Sequence, residues 1–290
     1  MKPVFARIPE DLSREAFALR EIDLPYFSTE FHFHKECQLV YVVESDGRRI
    51  IGDSVESFYS DELILLGPDI PHVWHNDKQY FETGGLEKHA RSIALFFDPE
   101  KLLGALAPLT PLKHLELTLQ QARRGMKFKG TAKERLRDLL FNMAALKELE
   151  RLSCLIAILH TISHTPDYEL LASEGYINTY QSTDNDRIHK VFKYVFDNFS
   201  REIALDEVCS LVNMNKQAFC RYFKSRTQKT FVHFVNEVRI SQACKLLSEG
   251  EQPIASLAYD CGFNSLSNFN RIFRESRGVT PREYKKSLSA

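Results

Sequence analysis

The sequence predicts a multidomain protein of mixed α and β class. An N-terminal antiparallel β-barrel with a helical hairpin precedes an all-α domain of two helix-turn-helix units joined by a long helix. Three observations carry this. Short β-branched and aromatic runs, separated by turn residues, fill much of the first hundred positions without helical patterning between them. Apolar residues at helical spacing dominate after residue 186. Within that stretch one pattern occurs twice, at offsets of 49 and 50 residues. The 290 residues, 43% hydrophobic and 27% charged, suffice for two buried cores and exclude disordered, collagen-like and rod-like classes.

The N-terminal elements follow from local composition. Cys37-Gln38-Leu39-Val40-Tyr41-Val42-Val43 is rich in residues that suit a pleated, packed surface. Ser45-Asp46-Gly47 is a turn signal, and Arg48-Arg49-Ile50-Ile51-Gly52 is the expected hairpin partner. A third run, 62–66, stops at Gly67-Pro68, and a fourth, 92–97, stops at Asp98-Pro99. Many short strands without intervening helices indicate an antiparallel barrel or sandwich. From about 111 to 164, Leu136, Leu139, Leu140, Met143, Leu146 and Leu149 follow helical spacing, and positions 125–130 divide the stretch into two helices. Such a pair dimerises, packs on its own barrel, or does both. Thr165-Pro166-Asp167 and Ser182-Thr183-Asp184-Asn185-Asp186 are polar turn formers. The expected domains are a barrel at 1–110, a helical hairpin at 111–164, a linker at 165–186 and a helical domain at 187–290.

Charge is unevenly distributed. The net charge is −1, but residues 187–290 hold 17 basic and 10 acidic side chains, against 21 and 29 in residues 1–186. A basic C-terminal third suits contact with a polyanion, or is a solvated basic surface. The six cysteines form no CxxC pair, which suits reduced thiols better than a zinc ribbon. Residues 1–7 lack the apolar region of a signal peptide, and no run reaches the roughly 18–20 apolar residues of a membrane span. A cytoplasmic protein with no membrane partner is expected.

His32 and His34 lie two apart, which in a strand puts both imidazoles on one face. His72 and His75 follow Pro71, near the start of a later strand. Converging neutral imidazoles are candidate ligands for zinc, iron, nickel or copper, and equally suit a polar ligand pocket or a structural role. His32-Phe33-His34 and the segment 67–76, with His72 and Asn76, resemble the two motifs of the cupins. Gln38 stands where that family carries Glu. The resemblance implies a cupin-like barrel that takes a small-molecule effector, with no certain cofactor, or a divalent metal. The effector-binding candidates are His32, His34, Gln38, Tyr41, His72 and Trp74, and the metal candidates are His32, His34 and His72.

In the C-terminal part, Ile188, Val191, Phe192, Val195 and Phe196 mark an amphipathic helix. Leu205, Val208, Cys209 and Val212 mark a second, and Asn213-Met214-Asn215 a tight turn with Asn215 as helix cap. The next helix has an apolar face of Phe219, Tyr222 and Phe223 and a polar face of Lys216, Gln217, Cys220, Arg221 and Lys224. Cys220 reads as a small filler. The pattern recurs with Ile254, Leu257, Ala258 and Cys261, the turn Gly262-Phe263-Asn264, and a helix carrying Phe269, Arg271, Phe273 and Arg274. A long helix through Phe231 to Leu247, ended by Gly250, spans the two units, and Thr280-Pro281-Arg282-Glu283 has the form of a capping box.

This region resembles the DNA-binding domain of AraC/XylS-type transcription regulators. The markers are the segment Phe219 to Lys224, Gly262-Phe263 through Arg274, and Gly278-Val279-Thr280-Pro281 with Tyr284. One departure is Gln228, where that family often has Gly. The resemblance implies a DNA-binding activator with an N-terminal sensor, a homodimer that meets double-stranded DNA and RNA polymerase, and no enzymatic activity. Lys216, Gln217, Arg221, Lys224, Ser265, Asn268, Asn270, Arg271 and Arg274 are the DNA-binding candidates, with Leu266 placed to touch a thymine methyl group. Each reads a base, holds a phosphate or is solvated. The competing class is a metal-dependent cupin enzyme with an appended helical domain.

Overall fold

A computed structural model describes residues 15–27, 30–81, 88–178, 185–250 and 252–288. Residues 1–7 and the linker positions Ser182, Thr183 and Asp184 lie outside the described residues. The chain divides into two compact units, one dominated by residues up to 178 and the other by residues from 179 on.

Residues 17–97 contain strands β1 (Phe17–Leu24), β2 (Cys37–Glu44), β3 (Gly47–Ile51), β4 (Ser54–Phe58), β5 (Glu62–Leu66), β6 (His72–Asn76) and β7 (Ala90–Phe97), Val55–Ser57 of β4 being grouped with the second unit. Helices α1 (Pro99–Leu106) and α2 (Lys113–Ala122), strand β8 (Met126–Phe128), helices α3 (Gly130–Ala145) and α4 (Glu148–His164), and strand β9 (Tyr168–Leu170) follow. The strands form a six-stranded antiparallel sheet in the order β1-β7-β2-β5-β8-β9 and a three-stranded sheet in the order β4-β3-β6.

The expected closed barrel is not formed among the described residues. The edge of β5 is taken by β8, and β9 continues that sheet, so the space for closure is occupied by strands from the segments expected to be hairpin and linker. The expected hairpin also differs. β2 pairs with β5 and β7, whereas β3 pairs with β4 and β6. The chain leaves one sheet for the other at Gly47, which has φ +156 and no room for a side chain: a Cβ there would lie 2.2 Å from the His75 carbonyl oxygen.

Strand period explains the layering. On β2, Cys37, Leu39 and Tyr41 face a core shared with Leu102 of α1, Leu119 of α2, Leu140 of α3 and Leu155 of α4. Val40 and Val42 face the opposite way, into a core shared with Ile51, Phe58 and Trp74 of the smaller sheet. The large sheet is thus covered on both faces, which is why its strands read as continuous apolar runs. The expected two-helix pair is three helices, because the chain breaks at Leu146-Lys147 and restarts with Glu148 at φ +45.

The second unit is α5 (Asn185–Asn198), α6 (Leu205–Leu211), α7 (Lys216–Thr227), α8 (Phe231–Glu249), α9 (Ile254–Asp260), α10 (Leu266–Arg277) and α11 (Pro281–Leu288). Its duplication extends to the backbone. Asn213 and Gly262 take positive φ in the two turns, and Gln228 and Gly278 take φ +60 and +75 at the ends of α7 and α10. Thr230 and Thr280 then begin the following helices. A glutamine in the left-handed region costs more than a glycine does. Gln228→Gly is therefore expected to raise stability by roughly 0.5–1 kcal/mol in a urea melt, and an unchanged or lower midpoint would show that the glutamine side chain compensates.

Candidate functional site

Two constellations stand out, one in each unit. In the helical unit, Asn215 Oδ1 accepts from the Ala218 amide at 2.8 Å, and Ser265 Oγ accepts from the Asn268 amide at 3.4 Å. These caps start α7 and α10. Phe219 and Phe223 of α7, and Phe269 and Phe273 of α10, are fully buried, with intra-pair ring separations of 5.7 and 5.6 Å. Each pair fixes which face of its helix is turned inward. The outer faces carry Lys216, Gln217, Arg221 and Lys224 on one helix and Asn268, Asn270, Arg271 and Arg274 on the other, all exposed.

The candidates differ in their engagements. Lys216 Nζ lies 2.9 Å from Asp206 Oδ2, an exposed pair of little energetic weight. Arg271 donates to Glu275 at 2.7 Å and to Asn268 Oδ1 at 3.0 Å, which lays its guanidinium along the helix surface. Ser265 uses its hydroxyl as the α10 cap. Leu266 is half-buried and packs against the core of the second unit, which limits its reach to a base. Cys220 is exposed, while the other five cysteines are buried, and all six are free thiols.

In the sheet unit, His32, His34 and His72 converge. Neither His32 nor His34 lies in a named strand. An isolated antiparallel bridge between His32 and His72 brings the two segments together, with amide-to-carbonyl distances of 3.1 and 2.8 Å. The ring centroids of His32 and His34 lie 4.4 and 5.1 Å from that of His72. Trp74 is 5.7 Å from His72, Phe96 is 5.8 Å from His34, and the Gln38 amide is 3.3 Å from His34 Nε2. Burial, the largest cause, lowers all three histidine pKa values, that of His34 to about 4. The imidazoles are therefore neutral.

Tyr41 is not part of this cluster. Strand period turns it to the helical face, where its hydroxyl donates to Asp61 Oδ1 at 3.0 Å and its ring meets Phe141. His75 is buried on the opposite face of β6, against Phe81. Asn76 is engaged structurally: it accepts from the Phe27 amide and donates to Ser45 Oγ and the Asp46 carbonyl. Sequence reading missed the backbone carbonyls of Glu30, Glu36 and Ile70, which meet the three Nδ1 atoms at 2.7, 2.9 and 2.8 Å. No side-chain motif encodes such acceptors.

The profile of a family described as a helix-turn-helix domain matches residues 208–287, from the middle of α6 through most of α11. Along most of its length the chain is similar to the HTH-type transcriptional activator RhaS of Mannheimia succiniciproducens, 25% identical over 252 residues, 87% of each chain. The chain is a DNA-binding transcription regulator with a helix-turn-helix domain at residues 208–287. The regulatory protein PocR of Salmonella typhimurium matches this regulator at 30% identity over 118 residues, 40% of this chain and 39% of PocR. Among solved structures, ToxT from Vibrio cholerae aligns over 95% of this regulator and 100% of that chain, at 15% identity and a TM-score of 0.38. No helix among the described residues of the regulator is long and apolar enough to cross a membrane.

Proposed function

We propose that this regulator places α7 and α10 in successive major grooves of double-stranded DNA, and that its sheet unit, a cupin-like fold opened into two sheets, senses a small ligand at the His34, His72 and Trp74 cluster. One observation carries the DNA reading: the same capped helix, anchored by the same buried phenylalanine pair, presents a polar and basic row twice. The 19 residues of α8 span about 28 Å, a scale that suits two reading heads about 34 Å apart. Ligand binding acts through a difference in affinity for two arrangements of the chain. The regulator works in the cytoplasm and activates transcription with RNA polymerase. An enzymatic role has less support, because Gln38 brings neither the charge nor the basicity of the carboxylate it replaces.

The test is DNA binding by single variants on a duplex selected from random sequence. Arg221→Ala and Arg271→Ala are each expected to weaken binding about 10- to 100-fold without changing the thermal midpoint. Affinity falls steeply as salt rises, because neutralised phosphates release counterions. Wild-type affinity in both variants would remove α7 and α10 as the reading helices.

The regulator acts as a homodimer through the outer face of α4. Leu149, Leu152 and Ile156 form an exposed stripe at spacings of three and four, with Leu149 78% exposed. Leu149→Lys with Ile156→Lys is expected to halve the molar mass in light scattering, and an unchanged dimer would place the interface elsewhere.

A further inference from the structure

We propose that His114, His160 and His164 form a surface site for a divalent transition-metal ion, which staples α2 to the C-terminal end of α4. The site belongs to the helical layer over the large sheet. It is separate from the cluster of His34, His72 and Trp74 and does not rest on reading that cluster as the sensor.

Helical spacing places the first two ligands. His160 and His164 stand four apart at the end of α4, so both project from one face. Two histidines at this spacing are a recurrent metal-binding arrangement on helices. Their ring centres lie 4.4 Å apart. His114, in the first turn of α2, brings a third ring from another helix, 5.1 Å from that of His164. Tetrahedral imidazoles bonded to one zinc ion at about 2.1 Å hold their ring centres roughly 5 Å apart. All three histidines are exposed, so no packing opposes the ring rotations that bring their nitrogens onto one ion.

Three further observations point to a cation. His164 Nδ1 lies 2.9 Å from the His160 carbonyl oxygen. A carbonyl oxygen only accepts, so Nδ1 bears the proton and Nε2 of the neutral ring keeps its lone pair. Backbone carbonyls orient metal-bound histidines in this way. The rings also sit at the C-terminus of a 17-residue helix, where unpartnered carbonyls and the negative end of the dipole favour positive charge. Finally, the three histidines border a cavity of about 490 Å³ whose lining, among the described residues, holds no Asp, Glu, Lys or Arg. No lysine or arginine there competes for the space. Neutral nitrogen donors select zinc, nickel, cobalt or copper over magnesium or calcium.

The staple acts on packing. Leu115 and Leu119 of α2 share a core with Leu155 and Leu159 of α4. An ion that needs ligands from both helices binds the folded unit and stabilises it by mass action. It also steadies the helix that carries the exposed stripe of Leu149, Leu152 and Ile156.

The experiment uses full-length protein without a histidine tag, stripped with chelator, then titrated with Zn(II) in a calorimeter and with Co(II) by visible absorption. His32, His34 and His72 could hold an ion of their own, so the readout is the difference between wild type and variants. Wild type is expected to bind one ion per chain more than His160→Ala/His164→Ala. His114→Ala should weaken that ion at least about tenfold. With free Zn(II) at about 100 times the dissociation constant, the thermal midpoint of wild type should rise roughly 5–10 °C more than that of the double variant. Circular dichroism checks the fold of each variant, and His160→Gln/His164→Gln replaces the alanine pair if that pair unfolds. Equal ion counts in wild type and the double variant overturn the site. Affinity unchanged in His114→Ala, or a midpoint rise no larger than in the double variant, overturns the staple. One ion shared by two chains overturns it as well, since the ion then lies between copies of the regulator.

Discussion

Phe273→Ala is expected to destabilise the helical unit by about 3–5 kcal/mol and to abolish specific DNA binding at physiological temperature. Phe273 is fully buried, with its ring 5.6 Å from Phe269 and 5.5 Å from Tyr284 of α11. It belongs to a core that includes Ile240 and Leu247 of α8 and Leu257 of α9. Removing the ring takes away the contact that sets the rotation of α10, so the row of Asn270, Arg271 and Arg274 loses its fixed direction. Phe223→Ala makes the equivalent hole under α7, where Phe223 meets Phe231 and Phe234 at 5.5 Å each. A urea melt and a DNA titration on each variant check this. A loss below about 1 kcal/mol with intact DNA binding would mean that α10 is held by its caps and not by its aromatic anchor.

The helical unit was more legible than the sheet unit for a physical reason. Helices α5 and α10 carry a clear apolar period near that of an α-helix, and helix ends are marked by Asn215, Gly278 and Thr280, residue types with specific capping geometry. In the sheet unit, β2, β5 and β7 were visible because both of their faces are covered. β1 and β4 were not, since Glu21, Asp23 and Glu56 interrupt their apolar runs. β8 and β9, at three residues each, are too short for any period to register. The break between α3 and α4 falls in Ala-Leu-Lys-Glu-Leu, which holds no glycine or proline to mark it.

The candidate ligand site was legible in its histidines and not in its boundaries. His32, His34 and His72 do meet, although the strand that was expected to align the first two is absent and the bridge to His72 replaces it. Residue type alone puts Tyr41 with the cluster. A one-residue step along β2 separates the face of Val40 and Val42 from that of Leu39 and Tyr41, and only the pairing of β2 with β5 and β7 decides which face meets the smaller sheet.

The other large effect lies under that sheet. Glu62→Ala is expected to cost about 3–5 kcal/mol, because it deprives a buried arginine of its carboxylate. Arg49 is 1% exposed and donates to Glu62 Oε2 at 2.6 Å, while Lys127 of β8 donates to Oε1 at 2.7 Å. Glu62 thus ties β3 of the small sheet and β8 of the large one to β5. Because one carboxylate serves two cations, the loss should be larger than for a simple pair near the surface, and larger than for Lys127→Ala, whose partner keeps Arg49. A double-mutant cycle resolves this. Arg49→Met with Glu62→Leu should recover most of the loss seen in Glu62→Ala, since apolar groups of similar volume replace the buried ion pair while Lys127 can turn to solvent. If the double variant is as unstable as Glu62→Ala, the cost comes from packing around β5 and not from the lost ion pair.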